Sequence, residues 1–150
     1  MTLAEMAAVN ATTPAQRILT VAEAARVAAA NRPYTWGGRT PAGFDCSGFV
    51  TYVFDRVFGT GNPPRMTAEG LYTSTLFVAV SGTPQPGDLI FFSDGGSRAT
   101  HVAIIAANNR FIGSQSSTGV AYVHLDNPYW RTKVLGYRRW AGVNGKVVSR

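Results

Sequence analysis

The chain has 150 residues, 45% hydrophobic and 15% charged, which supplies one core, leaves two domains cramped and is the wrong balance for a disordered chain. No apolar run approaches the roughly 18 residues of a membrane span; the longest are short strand-like pieces such as Leu89-Ile90-Phe91-Phe92. The formal charge of +6 favours an anionic partner without choosing among nucleic acid, membrane surface and bacterial cell wall, and a single cysteine excludes an intramolecular disulfide and any multi-cysteine metal site.

Residues 1–12 read as a tail or linker. Met1-Thr2-Leu3-Ala4-Glu5-Met6 has no basic n-region and no sustained apolar h-region, so no secretory signal is visible. Thr13 then caps a helix that Pro14 enters without loss and that alanine-rich sequence carries to about Ala30, ending before Pro33. Ile18, Ala22, Ala25 and Ala29 share one face of it at helical spacing. Residues 33–43 form a Gly/Pro loop holding Tyr34 and Trp36. Cys46 to Phe58 is a second helix, with Phe49, Val50, Val53, Phe54 and Val57 at core spacing and Gly59 suited to the left-handed position past its end. Met66 to Leu76 suggests a short helix.

Pro84-Gln85-Pro86-Gly87-Asp88 is a sharp turn, with Pro86 and Gly87 at the centre of a type II geometry. Strands are expected at Leu89–Phe92, His101–Ala106, Arg110–Gln115, Ala121–Leu125 and Val134–Trp140, with Asn108-Asn109 turning a hairpin. Helices first and antiparallel strands after make a single α+β domain, helices packed on a central antiparallel sheet. The densest basic cluster, Arg131, Lys133, Arg138 and Arg139, reads as a solvated face or an anion-binding one.

A lone cysteine is more often a small buried hydrophobe than a nucleophile, so its surroundings carry the argument. At the first turn of a helix the Cys46 sulfur meets unpaired N–H groups and the positive end of the dipole, which favour the thiolate. The neighbouring Asp45 opposes this, so a nucleophile here calls for a cationic partner such as an imidazolium. The chain has two histidines. His101 opens the β-rich run Val102-Ala103-Ile104-Ile105-Ala106, where a rigid strand holds the ring at its mouth, a sensible place for a general base. His124 lies among Tyr122, Leu125 and Asp126 in a surface strand and is the second choice.

Four blocks, Tyr34-Thr35-Trp36-Gly37-Gly38, Phe44-Asp45-Cys46-Ser47-Gly48-Phe49-Val50, Pro86-Gly87-Asp88-Leu89-Ile90-Phe91-Phe92 and His101-Val102-Ala103-Ile104-Ile105, strongly resemble the NlpC/p60 family of cell-wall cysteine peptidases, in the family's order and over roughly residues 15–140. The resemblance implies a papain-like fold and hydrolysis of an amide in peptidoglycan stem peptides, typically between D-γ-glutamyl and a diamino acid. It implies that Cys46 attacks the carbonyl, that His101 takes the thiol proton and returns it to the leaving amine, and that Tyr34 helps hold the oxyanion. Asp45 and Ser47 match positions that contact the substrate's amine end. The family normally carries a third polar residue about a dozen positions past the histidine. Counting from His101 lands on Gly113, which has no side chain to orient a ring. Gln115, on the same side of the strand, is the first candidate for this role, a Cys–His dyad the second and Ser114, on the opposite face, the third. Trp36, Tyr72, Tyr129 and Trp130 are candidate walls of a cleft; core is the preferred reading for each except Trp36, which lies in the motif loop. Arg39 suits a stem-peptide carboxylate, or is simply solvated.

The leading expectation is a thiol endopeptidase of peptidoglycan with no cofactor and no metal. It would work as a monomer at the bacterial cell wall, delivered by a phage or a secretion machine or cut from a larger protein, with an immunity or inhibitor protein as a further partner. The alternatives are an N-acetylmuramoyl-L-alanine amidase, which uses the same nucleophile, and a catalytically weak peptidoglycan-binding module. A nucleic-acid binder rests on charge alone, with no motif behind it.

Overall fold

The computed structural model describes residues 13–141, so the proposed tail at 1–12 lies outside the described residues. Helix α1 (Pro14–Ala28) opens with a reciprocal cap: Gln16 N donates to Thr13 Oγ1 and Thr13 N to Gln16 Oε1, an arrangement worth about 1 kcal/mol. Ile18, Ala22, Ala25 and Ala29 are all buried, as their spacing requires. Strands β1 (Arg39–Thr40) and β2 (Gly43–Phe44) form a two-residue hairpin that periodicity does not disclose. Helix α2 spans Cys46–Phe58, and its cap Gly59 takes a positive φ of 97° but an extended ψ of 152° rather than the full left-handed conformation. Helix α3 is shorter than expected, Ala68–Thr73, and the chain then enters an unforeseen edge strand, β3 (Phe77–Ala79).

The remaining strands are β4 (Leu89–Phe92), β5 (His101–Ala106), β6 (Arg110–Gln115), β7 (Gly119–His124) and β8 (Val134–Trp140). They join β3 in a six-stranded antiparallel sheet of order β3-β8-β4-β5-β6-β7. Asn108 and Asn109 turn the β5–β6 hairpin at φ 61° and 60°, a conformation asparagine tolerates. The turn before β4 is closed by Asp88 N donating to Gln85 O at 3.0 Å, with Gly87 at φ 96° as type II demands.

The sheet buries both faces near its centre. Leu89, Phe91, Val102, Ile104 and Ile112 join α1 and α2 in the main core, while Ile90, Phe92, Ala103, Ile105 and Phe111 form a second cluster with Trp130, Val134 and Tyr137 packed against it. Because side chains alternate along a strand, His101, Gly113 and Gln115 belong to this second face and Ser114 to the helix face. The late basic cluster is largely committed to structure. Arg139 forms a two-pronged pair with buried Asp88 at 2.7 and 2.9 Å, tying the turn before β4 to β8. Arg138 lies over the Tyr72 ring while its Nε donates to the Tyr72 carbonyl, and Lys133 stands 3.6 Å from Asp94. No helix among the described residues is long and apolar enough to cross a membrane.

Candidate active site

Asp45 is the N-cap of α2. Its Oδ1 accepts from Gly48 N at 2.6 Å and from Ser47 Oγ at 3.4 Å, and its Oδ2 from Gly37 N at 3.0 Å. Asp45 N in turn donates to Gly38 O, and Thr35 N to Phe44 O, so the Tyr34–Gly38 loop is laced to the start of the helix. A Cβ on Gly48 would run into the Gly38 carbonyl, and this close approach explains a glycine inside the first turn of a helix. Cys46 follows the cap and is 7% exposed. Burial pushes its thiol up, the Val102 backbone amide opposes this, and Asp45 adds to the rise. Desolvation therefore opposes the dipole argument for an easily ionised thiol and raises the thiol on balance.

The Val102 amide that reaches the sulfur belongs to the residue after His101, so the N-terminus of α2 and the head of β5 meet at this point. His101 is 9% exposed, with its ring against Trp130 (centroids 4.9 Å apart) and Phe92 (5.6 Å). Burial lowers its pKa to about 4, while the Gln115 hydrogen bond and the nearby Asp94 charge act in the opposite sense. The imidazole is therefore neutral at pH 7, not the imidazolium expected from the neighbouring Asp45.

His101 Nε2 lies 3.2 Å from Gln115 Oε1. Gln115 is fully buried, and its Nε2 donates to Thr118 Oγ1 at 3.3 Å and to the Ala121 carbonyl at 3.4 Å. A carbonyl only accepts, so the amide nitrogen faces Ala121 and the amide oxygen faces the ring. The proton of the neutral imidazole is thereby placed on Nε2, leaving the Nδ1 lone pair open. The β5–β6 register accounts for the encounter. Ala106 pairs with Arg110 and Ile104 with Ile112, and the same register carried on sets Ala103 across from Gly113 and His101 across from Gln115. Ser114 points to the other face, where its Oγ donates to the Phe44 carbonyl at 2.8 Å.

Of the three cavities that Tyr34 lines, two also hold Cys46 or His101. One, of about 430 Å³, is lined by Cys46 with Asp45, Ser47 and Trp36, and its far wall includes Glu69 and Arg98. The other, of about 130 Å³, is lined by His101 with Asp94, Tyr129 and Trp130. Tyr34 and Thr100 line both. Burial raises the Tyr34 phenol to about 12, with the Cys46 and Asp45 charges adding to the rise and the Cys46 backbone opposing it, so the phenol remains a hydrogen-bond donor. Trp36, 89% exposed, stands at the rim. Arg39 is exposed on β1 and lines neither cavity, and His124 is exposed at the end of β7. Tyr129 and Trp130, read from sequence as core, are walls of the His101 cavity, while Tyr72 packs on Phe91. Asp94 and Arg98 carried no sequence signal, because each is an isolated loop charge, and Glu69, in the first turn of α3, reads from sequence as an ordinary solvated helix charge.

The model of the NlpC/P60 family matches residues 31–139. The chain belongs to the NlpC/P60 family. It is 39% identical over 108 residues to the probable peptidoglycan endopeptidase LytE of Bacillus subtilis and 38% identical over 110 residues to that organism's gamma-DL-glutamyl hydrolase. These alignments span 72% of this chain but only 30% and 26% of those proteins, so the chain corresponds to under a third of their length. A lipoprotein-like NLP/P60-family structure from Staphylococcus aureus superposes with a TM-score of 0.66 at 32% identity, over 85% of this chain and 41% of that one. The NlpC/p60 domain of the peptidoglycan hydrolase SagA superposes with a TM-score of 0.61 at 28% identity, over 83% and 97%.

Proposed function

We propose that this chain is a cysteine endopeptidase that hydrolyses the D-γ-glutamyl–diamino acid amide of peptidoglycan stem peptides, acting as a monomer at the bacterial cell wall. The observation that carries the reading is the arrangement of three side chains. Cys46 heads α2, His101 heads β5 beside it, and Gln115 holds His101 Nε2 so that Nδ1 is the basic nitrogen. Its similarity to the probable peptidoglycan endopeptidase LytE and to the gamma-DL-glutamyl hydrolase supports the substrate class.

Burial holds His101 neutral and raises the Cys46 thiol, which supports general-base attack as the first step. His101 Nδ1 takes the Sγ proton as the sulfur bonds to the carbonyl carbon, and the carbonyl oxygen becomes an oxyanion within reach of the Tyr34 phenol. The imidazolium then gives its proton to the amide nitrogen as the C–N bond breaks, releasing the amine and leaving a thioester on Cys46. Water, deprotonated by the same imidazole, hydrolyses the thioester and restores the thiol. Gln115 is a positioning residue in this scheme, and its amide oxygen accepts from the ring's Nε2–H throughout. Asp45, occupied by three donors, serves first to cap α2 and hold the motif loop; its contact with a substrate amine would use lone pairs that remain. Ser47 and Trp36 border the same cavity and are assigned to the acyl half of the substrate.

Mass spectrometry of a wall digest tests the bond. Fragments ending in D-γ-glutamate, paired with new diamino-acid amines, are expected, whereas release of intact stem peptides from the sugar would assign the protein to the muramoyl-alanine amidases instead.

A further inference from the structure

The base that takes the thiol proton returns it to the departing amine, so the leaving residue lies in the His101 cavity. That cavity shares Tyr34 and Ser116 with the third cavity at Tyr34, of about 530 Å³, which the Cys46 cavity meets only at Tyr34. The third cavity lies between the end of α1 and the β6–β7 turn and is lined by Arg26 and Arg32 together with Ser116, Ser117 and Thr118. Arg26 is already committed, its Nε and Nη2 donating to Glu23 at 2.8 and 2.7 Å. The exposed Arg32 guanidinium has no hydrogen-bond or ion-pair partner among the described residues. Its backbone is nonetheless fixed. Asn31 turns the chain out of α1 at φ 65°, and Arg32 N donates to Ala29 O at 3.0 Å. The β6–β7 turn approaches so closely that a Cβ on Gly119 would lie 2.7 Å from the Arg32 carbonyl oxygen. On that turn Thr118 Oγ1 accepts from Gln115 Nε2 at 3.3 Å, so a wall of the cavity is tied to the residue that orients His101.

We propose that this third cavity is a subsite for the free carboxylate that ends a stem peptide one residue past the diamino acid, with Arg32 as its cationic partner, so that tetrapeptide stems are cut in preference to tripeptide ones. This rests on the reading of the chain as a D-γ-glutamyl–diamino acid endopeptidase. A terminal carboxylate takes two parallel bonds from a guanidinium and further bonds from hydroxyls. Arg32 with Ser116 and Ser117 supplies both kinds of donor in one cavity. Its volume falls within the range of about 300–1,000 Å³ that holds small ligands, whereas the His101 cavity, at about 130 Å³, falls below it. A carboxylate one residue beyond the leaving residue stands at most about 7 Å of chain from the scissile nitrogen. Its subsite must therefore adjoin the His101 cavity, and the shared walls Tyr34 and Ser116 meet that condition. A tripeptide ends one residue nearer the scissile bond and leaves Arg32 solvated.

The test is kcat/KM for the purified protein on L-Ala-γ-D-Glu-X, on L-Ala-γ-D-Glu-X-D-Ala and on the same tetrapeptide ending in a carboxamide, with X as meso-diaminopimelate in one set and L-lysine in the other. In whichever set is cut, the tetrapeptide acid should exceed both the tripeptide and the amide by about tenfold, the size of one charge-assisted contact. Arg32→Gln should bring both ratios to near one. Arg32→Lys, which keeps the charge but not the two-pronged geometry, should retain part of them. Each ratio compares substrates on one protein, so a change in stability cancels. Equal rates on acid and amide, or unchanged ratios in Arg32→Gln, overturn the subsite while the endopeptidase reading stands. Failure of the native protein to cut any peptide of either set overturns both.

Discussion

Gln115 Oε1 occupies the space beside Gly113: a Cβ on that glycine would lie 2.7 Å from it and 2.8 Å from the Ala103 Cβ. Glycine at 113 is therefore the condition for Gln115 to fold back across the strand and reach His101, not merely the lack of a polar residue where the family usually has one. Gly113→Ala should displace the Gln115 amide, lower kcat by roughly tenfold or more and destabilise the fold by about 1–3 kcal/mol from overpacking. In a double-mutant cycle with Gln115→Ala the kinetic losses should overlap rather than add, because both remove the same contact.

The role of Gln115 separates from mere packing through pH. Its hydrogen bond favours the charged imidazole, so Gln115→Leu should move the acid limb of kcat/KM to lower pH while reducing kcat more than it changes KM. In the native protein that limb should lie near 4, because burial holds His101 neutral down to about that pH. A limb at 6.5, the value of a solvated histidine, would contradict the buried-base account.

The same burial makes stability depend on pH. The folded-state pKa of His101 is depressed to about 4 from 6.5, so between those values the unfolded chain binds more protons than the folded one. The stabilisation is full above 6.5 and lost as pH falls through 4, amounting to about 3 kcal/mol for a shift of this size. Urea unfolding at pH 7.5 and pH 4 should show a difference of that order beyond the slope in His101→Gln, where this contribution is gone.

Asp88 and Arg139 support the site from a distance. Removing one member of a buried pair strands the other, so Asp88→Asn should destabilise the protein by about 3 kcal/mol. KM should hold near its native value at temperatures where the variant remains folded, since neither residue lines the two cavities. A large change in KM would place Asp88 nearer the substrate than its geometry allows.

Tyr34 is the candidate oxyanion donor. Tyr34→Phe preserves the ring between the two cavities and removes only the hydroxyl, so kcat should fall by about 10²-fold with KM little altered. A matching loss in KM alone would make the phenol a ground-state contact.

The helix of the nucleophile was legible because its core positions repeat at helical spacing and Asp45 caps it, and the β5–β6 hairpin because Asn108 and Asn109 accept positive φ. His101 was legible as the residue at the mouth of a doubly buried strand. Gln115 was recoverable too. With Ala107, Asn108 and Asn109 as the loop, Ala106 faces Arg110, and five further steps on each strand bring His101 to Gln115. The hairpins β1–β2 and the edge strand β3 escaped notice because two or three residues carry no period, and β3 exists only through its non-local pairing with β8. What opposes ionisation of Cys46 was hidden for a different reason. The helix terminus is visible in sequence, but the burial that outweighs it depends on Val102 and the sheet closing over the sulfur. Tyr129 and Trp130 show the same limit, since an aromatic residue reads alike whether its ring fills a core or walls a cleft.

The central claim is that Cys46 performs the chemistry with His101 as its base. It is tested most directly by incubating purified peptidoglycan with the native protein, Cys46→Ala and His101→Ala, each first shown by urea unfolding to be folded, and measuring the released stem-peptide fragments by mass spectrometry. The native protein should release fragments ending in D-γ-glutamate and both variants should release none above the enzyme-free background. Release by folded Cys46→Ala at the native rate would contradict the account.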